Sequence, residues 1–469
     1  MTNLTCGCVG NCRVEFIEKP EELEGLGLGY VKAVYEPEYL STFYLPKEDG
    51  SGVLLVGYQG ENPQDPNTAK ELAAAACKAL KERKIYDFTM PAEIFVKNGK
   101  RELLAACAES VYIVTGTAKT YKTGAKELSW NVGFDGAKAE DGYFLEEGRV
   151  LAEGVLFARN MTNAPANYLR PEDFAAAAED FVKGTDLEVE ILHEDRLKEM
   201  GMGALLGVGK GSEFPPCLMV LRYQGDPDSQ EKTGLVGKGV TMDTGGYCLK
   251  PREGMNGMQG DMGGAAAVAG AVYALAKMKA KVNVTAVLPM CENRISGGSF
   301  VPGDVLTSYS GKTIEVGNTD AEGRLILADA VSYAVKDEKV TRVLDIATLT
   351  GAVVRTLGFT IAGVVTDSDE VWKEFSEASE RSGEKYWRLP FGKEHEKMIE
   401  SKVADIRNMG APVCGTITAG LFIRSFVEGT PWIHVDIAGT AWVDEPVYAY
   451  QEKYATGNSV DTIYHWLKK

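Results

Sequence analysis

The chain has 469 residues, enough for two or three domains rather than one. Hydrophobic residues make up 45% and charged residues 25%, the balance of a globular protein, and no apolar run is long enough for a transmembrane helix. The net charge of −17 argues against nucleic acid and anionic membranes as partners, because both demand a positive patch.

From the N-terminus, the first residues are polar and lack the basic-then-apolar pattern of a secretory leader. Cys6, Cys8 and Cys12 form a tight group, but C-x-C-x3-C has no second pair to complete a structural zinc site. Gly52 to Gly57 reads as a strand, Thr68 to Arg83 as a helix and Val111 to Val114 as a strand. Residues 1–150 are therefore expected to form a small α/β domain. A helical pattern from about Leu145 to Met161 runs into Thr162–Asn167, so a helix near 145–162 is expected to join this domain to residues 151–469. In that larger part, strands are expected at Leu187–Leu192, Leu218–Tyr223, Leu235–Val240, Val282–Leu288 and Val343–Ile346, with helices at Ala265–Lys279 and Leu325–Val335. The fold class is α/β, with a mixed central sheet flanked by helices in the larger domain. Nine scattered cysteines fit a reducing, cytoplasmic compartment, and Cys77, Cys107, Cys217, Cys291 and Cys414 stand in apolar surroundings suited to core thiols.

The chemistry concentrates in two segments. In Asn318-Thr319-Asp320-Ala321-Glu322-Gly323-Arg324-Leu325, two acids and an arginine alternate between a β-rich run and an apolar helix. An extended backbone would turn Asp320, Glu322 and Arg324 to one face. The second segment, residues 237–264, adds Asp243, Asp261, Lys238 and Lys250. Each has an ordinary reading alone: helix-start acids for Asp320 and Glu322, an N-cap for Asp261, a turn residue for Asp243, solvated lysines for the other two. Together, four carboxylates near predicted strand ends suit two divalent cations, and zinc and manganese both accept oxygen donors. Other chemistries fail on their motifs. Gly207-Val208-Gly209-Lys210-Gly211-Ser212 is neither a P-loop nor G-x-G-x-x-G, no H-E-x-x-H or G-x-S-x-G occurs, and His434 sits in an apolar strand.

These segments resemble those of the leucyl aminopeptidase family, the cytosolic two-metal aminopeptidases. Asn318 to Leu325 reads as the family's signature octapeptide, and Gly237 to Gly246 matches its first metal segment with Met242 and Thr244 in place of the usual Phe and Ser. Glu292-Asn293, Asp345 to Ala352, Ala404-Asp405 with Asn408, and Trp432 to Trp442 also match, so the resemblance covers about residues 150–445. It implies Lys238, Asp243, Asp261, Asp320 and Glu322 as metal ligands, Lys250 and Arg324 as catalytic residues, and a bicarbonate ion on Arg324 as the base. It implies a side-chain pocket with Met258, Thr348, Leu349 and Gly351, peptide substrates with Leu-like N-termini, and a homohexamer. A Cys-Gly dipeptidase using the same site and a non-catalytic regulatory protein are the alternatives; the second would need a lost site residue, and none is missing.

Overall fold

The computed structural model describes residues 1–96, 99–116, 119–123 and 128–468. It divides into two compact units. The first holds Met1–Leu156 together with Arg381–Gly383 and Pro446–Glu452, and the second holds Phe157–Glu380, Glu384–Glu445 and Lys453–Lys469. The change of unit falls inside one helix, Gly142–Thr162. The two short returns of the chain to the first unit are invisible to a linear reading of the sequence.

The first unit is built on a six-stranded sheet. Its strands are β1 (Thr2–Cys6), β2 (Cys12–Ile17), β3 (Thr42–Pro46), β4 (Gly52–Gly57), β5 (Asp87–Pro91) and β6 (Trp130–Asp135), in the order β1-β6-β5-β2-β4-β3. The helix Pro66–Glu82 starts with proline in its first turn and with Asp65 as N-cap, whose side chain accepts from Thr68 N; its alanine-rich stretch lies buried in the core. One expectation is corrected here. Val111–Val114 lies in the helix Leu103–Thr115, not a strand. Its β-branched residues are packed on nearly every side, and that burial outweighs their modest local preference for extended backbone. Cys6 and Cys12 stand apart: β6 and β5 separate β1 from β2, which sets them about 14 Å from each other at the usual strand spacing.

The second unit holds a nine-stranded mixed sheet. Its strands are β7 (Glu188–Leu192), β8 (Cys217–Gln224), β9 (Thr233–Gly237), β10 (Gly239–Asp243), β11 (Asn283–Asn293), then, past β12 (Val305–Thr307) and β13 (Thr313–Glu315) of a smaller sheet, β14 (Arg342–Ala347), β15 (Ile361–Val365) and β16 (Lys385–Arg388). After β17 (Ile406–Arg407), β18 (Trp432–Asp436) completes it, giving the order β16-β15-β18-β14-β9-β11-β8-β7, with β10 beside β11. Strands β18, β14, β9 and β11 are parallel neighbours, and β11 is buried along all of its length. Its middle, Ala286 to Cys291, is an unbroken apolar run, as expected of a strand covered on both faces.

The expected single strand Leu235–Val240 is interrupted at Lys238. Up to Val236 the strand pairs with both β14 and β11, and Gly237 with β14; beyond Lys238 it keeps β11 and leaves β14. The backbone there stays tied, with Lys238 N donating to Ile346 O at 3.0 Å and Lys238 O accepting from Ala265 N at 2.9 Å. The parting of β9/β10 from β14 opens the sheet at its carboxyl edge, where ligands of open α/β sheets bind.

A buried cage of acids and lysines

Every acid-bearing segment ends at that edge. Asp243 closes β10, Asp261 follows the short turn Met258–Gly260 and precedes the helix Gly263–Lys277, and Glu322 is the residue before the helix Gly323–Lys336. Neither Asp261 nor Glu322 caps its helix with its side chain. The extended backbone expected across Asp320, Glu322 and Arg324 is corrected as well. Glu322 already has helical backbone angles and Arg324 lies in the first helical turn. The convergence comes from a turn feeding a helix, in which Asn318 Oδ1 accepts from Asp320 N at 2.8 Å.

Two lysines bind the acids in pairs. Lys238, 2% exposed, places Nζ 2.7 Å from Asp261 Oδ2 and 2.8 Å from Glu322 Oε1, and donates to Thr348 O at 3.2 Å. Its stem passes over Gly323, where a Cβ would stand 2.5 Å from Lys238 Cε, so only glycine fits there. Lys250 Nζ lies 2.7 Å from Asp243 Oδ2 and 2.6 Å from Asp320 Oδ1. All four carboxylates, Lys238 and Lys250 are thus gathered in one cage. Arg324 is 6% exposed, and its Nε has no hydrogen-bond partner among the described residues.

Four carboxylates face two ammoniums, so the cage carries excess negative charge. Burial and the neighbouring acids push Asp243 up to about 6 against the pull of Lys250 and Lys238. Burial raises Asp261 well above the carboxylate range, and raises Asp320 in the same direction. Burial also works against the charged form of Glu322, yet Lys238 and Lys250 hold this carboxyl below its usual range. For Lys238 and Lys250 burial pulls downward, and the surrounding acids outweigh it and hold both above the ordinary lysine value. Burial lowers Arg324 to about 10, opposed by Glu322 and Asp436.

The donor set fits divalent cations. Asp243, Asp320 and Glu322 each offer an oxygen within 4.8 Å of the others, and Glu322 Oε2 is buried with no hydrogen-bond partner among the described residues. Carboxylate oxygens with one amine are hard to borderline ligands, suited to manganese or zinc. The two ammoniums already stand where positive charge is needed.

Of the residues expected in a side-chain pocket, Thr348 has a further contact: its hydroxyl donates to Asp261 Oδ1 at 2.8 Å. Leu349 N donates to Asp436 Oδ1 at 3.1 Å, Gly351 opens the helix Gly351–Leu357, and Met258 lies half-buried on the turn before Asp261. His434 is the core histidine that its strand suggests, with Nδ1 2.5 Å from Asp345 Oδ1. Cys414 is corrected: it is exposed, with φ 57°, at the start of the helix Gly415–Arg424. Four residues that lie in the matching segments gain a role only from the structure. Asn293 and Thr319 tie the Asp243 loop to the signature loop, Asn408 holds the signature loop, and Asp436 holds Leu349 and Thr350. For Asn293, Asn408 and Asp436 the signal in the sequence is a polar residue at or just past the end of a strand; Thr319 lies in the signature turn itself.

A carboxylate-rich cage at the carboxyl edge of a mixed sheet defines an α/β protein with a candidate divalent-metal site. Residues 156–464 match the model of the cytosol aminopeptidase family, catalytic domain. The chain belongs to that family and is a metal-dependent aminopeptidase. It is 40% identical over 441 residues to a probable cytosol aminopeptidase of Alkaliphilus oremlandii, covering 92% of this chain and 88% of the relative. A probable cytosol aminopeptidase of Treponema denticola is 39% identical over 462 residues, 96% of each chain. Among solved structures, the bottromycin maturation enzyme BotP superposes with a TM-score of 0.86 at 31% identity, covering 98% of this chain and 99% of its own. The same enzyme in complex with Mn gives a TM-score of 0.87 at 31% identity, covering 97% and 98%. Among the described residues no helix is long and apolar enough to cross a membrane.

Proposed function

We propose that this chain is a two-metal aminopeptidase that releases N-terminal, preferentially Leu-like residues from peptides in the cytoplasm. The observation that carries this reading is the pairing of four acids, three buried and Asp320 half-buried, by two lysines, which marks two places for positive charge in one cage. Asp243, Asp261, Asp320, Glu322 and Lys238 would hold two ions, zinc or manganese, with Lys238 as a neutral amine once a cation replaces its proton. Bound there, divalent cations supply a water of lowered pKa and polarise the scissile carbonyl.

The chain's own groups supply the rest. Lys250, facing Asp243 and Asp320 from a flexible stem, stabilises the negative charge that grows on the carbonyl oxygen. Arg324 presents a planar, partly unpartnered guanidinium that suits a bidentate anion, and bicarbonate held there would serve as the base. The free α-amine of the substrate registers the peptide by its first residue, which makes the enzyme an exopeptidase. Met258, Leu349 and Gly351 would border the side-chain pocket, with the Thr348 backbone beside them. The assembly would be a homohexamer, as the resemblance implies.

The test is metal removal. The purified chain, stripped by a chelator, should lose release of leucine from leucine anilide and regain it with manganese or zinc added singly. Activity that survives complete demetallation would refute the reading. Cysteinyl-glycine assayed in parallel separates a Leu-type enzyme from a Cys-Gly dipeptidase.

A further inference from the structure

We infer that Asn293 is a positioning residue that fixes Asp243 for cation binding; the inference rests on the two-metal reading above. Asn293 ends β11, and Asp243, the last residue of β10, is its partner in the strand register. Both are buried, Asn293 completely. The Nδ2 of Asn293 donates to Asp243 Oδ1 at 2.9 Å and to Thr319 O at 3.0 Å. Both partners are acceptors, so the amide can stand only one way round, with Nδ2 toward the acid.

This single amide joins the two acid-bearing segments. It reaches the carboxylate of one and the backbone of the other, one residue before Asp320. Asp243 Oδ1 also accepts from Gly245 N at 2.8 Å, so this oxygen is committed to two protein donors. Oδ2 is left facing the cage, where Lys250 Nζ now meets it. Asn293 therefore decides which oxygen of Asp243 is offered to a cation, and in what direction. The other end of the amide is crowded rather than bonded. Asn293 Oδ1 is buried without a partner among the described residues, and a Cβ on Gly246 (φ +60°) would stand 2.8 Å from it. A buried unpaired oxygen costs stability, and its retention is explained if the amide serves its donor end.

Thr348 is the counterpart on Asp261: its hydroxyl engages Oδ1 and leaves Oδ2 toward Lys238. Partners that orient a metal ligand in this way are worth about ten- to a hundredfold in metal affinity.

The experiment is a manganese titration of the metal-stripped full chain, followed by electron paramagnetic resonance of free Mn2+, for the parent, Asn293→Leu and Asn293→Ala. Leucine keeps the branching shape at somewhat larger volume and removes the donor; alanine covers the case in which leucine does not fold. The inference expects two equivalents in the parent and, in the variants, one of them weakened at least about tenfold. Saturating manganese should restore most of the turnover with the KM for the peptide little changed. Variants that bind both equivalents as the parent does overturn the inference and leave the two-metal reading intact. So do variants that lose both equivalents together with a large drop in metal-free melting temperature, because Asn293 would then be a structural residue. A parent that binds no manganese overturns the two-metal reading, and this inference with it.

Discussion

Replacing Lys238 with methionine isolates what the buried ammonium does. Its Nζ sits 2.7 Å from Asp261 and 2.8 Å from Glu322. At an effective dielectric constant of about 20 each attraction is worth about 6 kcal/mol before the cost of desolvating the ammonium. Desolvation takes back a large part, and removing one member of a buried ionic group typically costs about 3–5 kcal/mol in all. Methionine fills nearly the same space, so little of the loss should come from packing. Metal-free Lys238→Met is therefore expected to melt at least roughly 5 °C below the parent at pH 7.5. The gap should narrow at pH 5.5, because Asp243 and Asp261 take up protons there more readily than ordinary carboxylates and relieve the lost charge. Scanning calorimetry of both proteins at both pH values, with and without manganese, is the assay. A metal-free variant that melts with the parent at pH 7.5 would show that the acids are neutral without the lysine, and the charge argument for the cage would fall.

Arg324→Lys should lower turnover at least about tenfold while manganese affinity stays near that of the parent, because a lysine loses the planar fork but keeps the charge; equal losses in kinetics and metal titration would contradict this. The pH dependence of the metal-free protein has a definite sign. Asp243 titrates at about 6 when folded, above the roughly 3.9 of an unfolded aspartate, so its contribution favours folding below about 3.9 and is lost as the pH rises through about 6. Metal-free parent should thus gain stability relative to Asp243→Asn as the pH falls from 7.5 to 5.5, and a flat difference between the two in thermal melts would refute it. With native protein, a thiol reagent should react fast with Cys8 and Cys414, which are exposed, and leave Cys12, Cys77, Cys107, Cys217 and Cys291 until denaturant is added. Slow reaction of Cys414 would mean that another copy of the chain covers it.

Much of the site was legible because acids past strand ends in an α/β pattern have few structural uses. Lys238, Asp243, Asp261, Asp320 and Glu322 stood out together for that reason, and the structure gathers them. The local geometry was less legible. Alternation of Asp320, Glu322 and Arg324 suggested a strand, but a turn followed by a helix brings two acids together equally well, and side-chain spacing alone does not separate the two. Val111–Val114 misled because β-branched residues are common in buried helices as well as in strands. The interruption at Lys238 left no mark, since glycines on both sides of it suit either a bulge or a continuous buried strand. Asn293 and Asn408 were matched as parts of motifs without a role, because an amide's use depends on which backbone it reaches.

The strand β11 serves two masters along its length. Its first half is the partner of β9 deep in the sheet, and its last four residues carry β10 and end on Asn293. Accuracy at the cage is thus inherited from a strand buried along its whole length, where a slip of one residue would turn every side chain to the wrong face. The segments around Met258 and Leu349 are loops and short turns without that constraint. Substitutions in those segments can therefore accumulate over evolutionary time without moving the strand ends that hold Asp243 and Asn293.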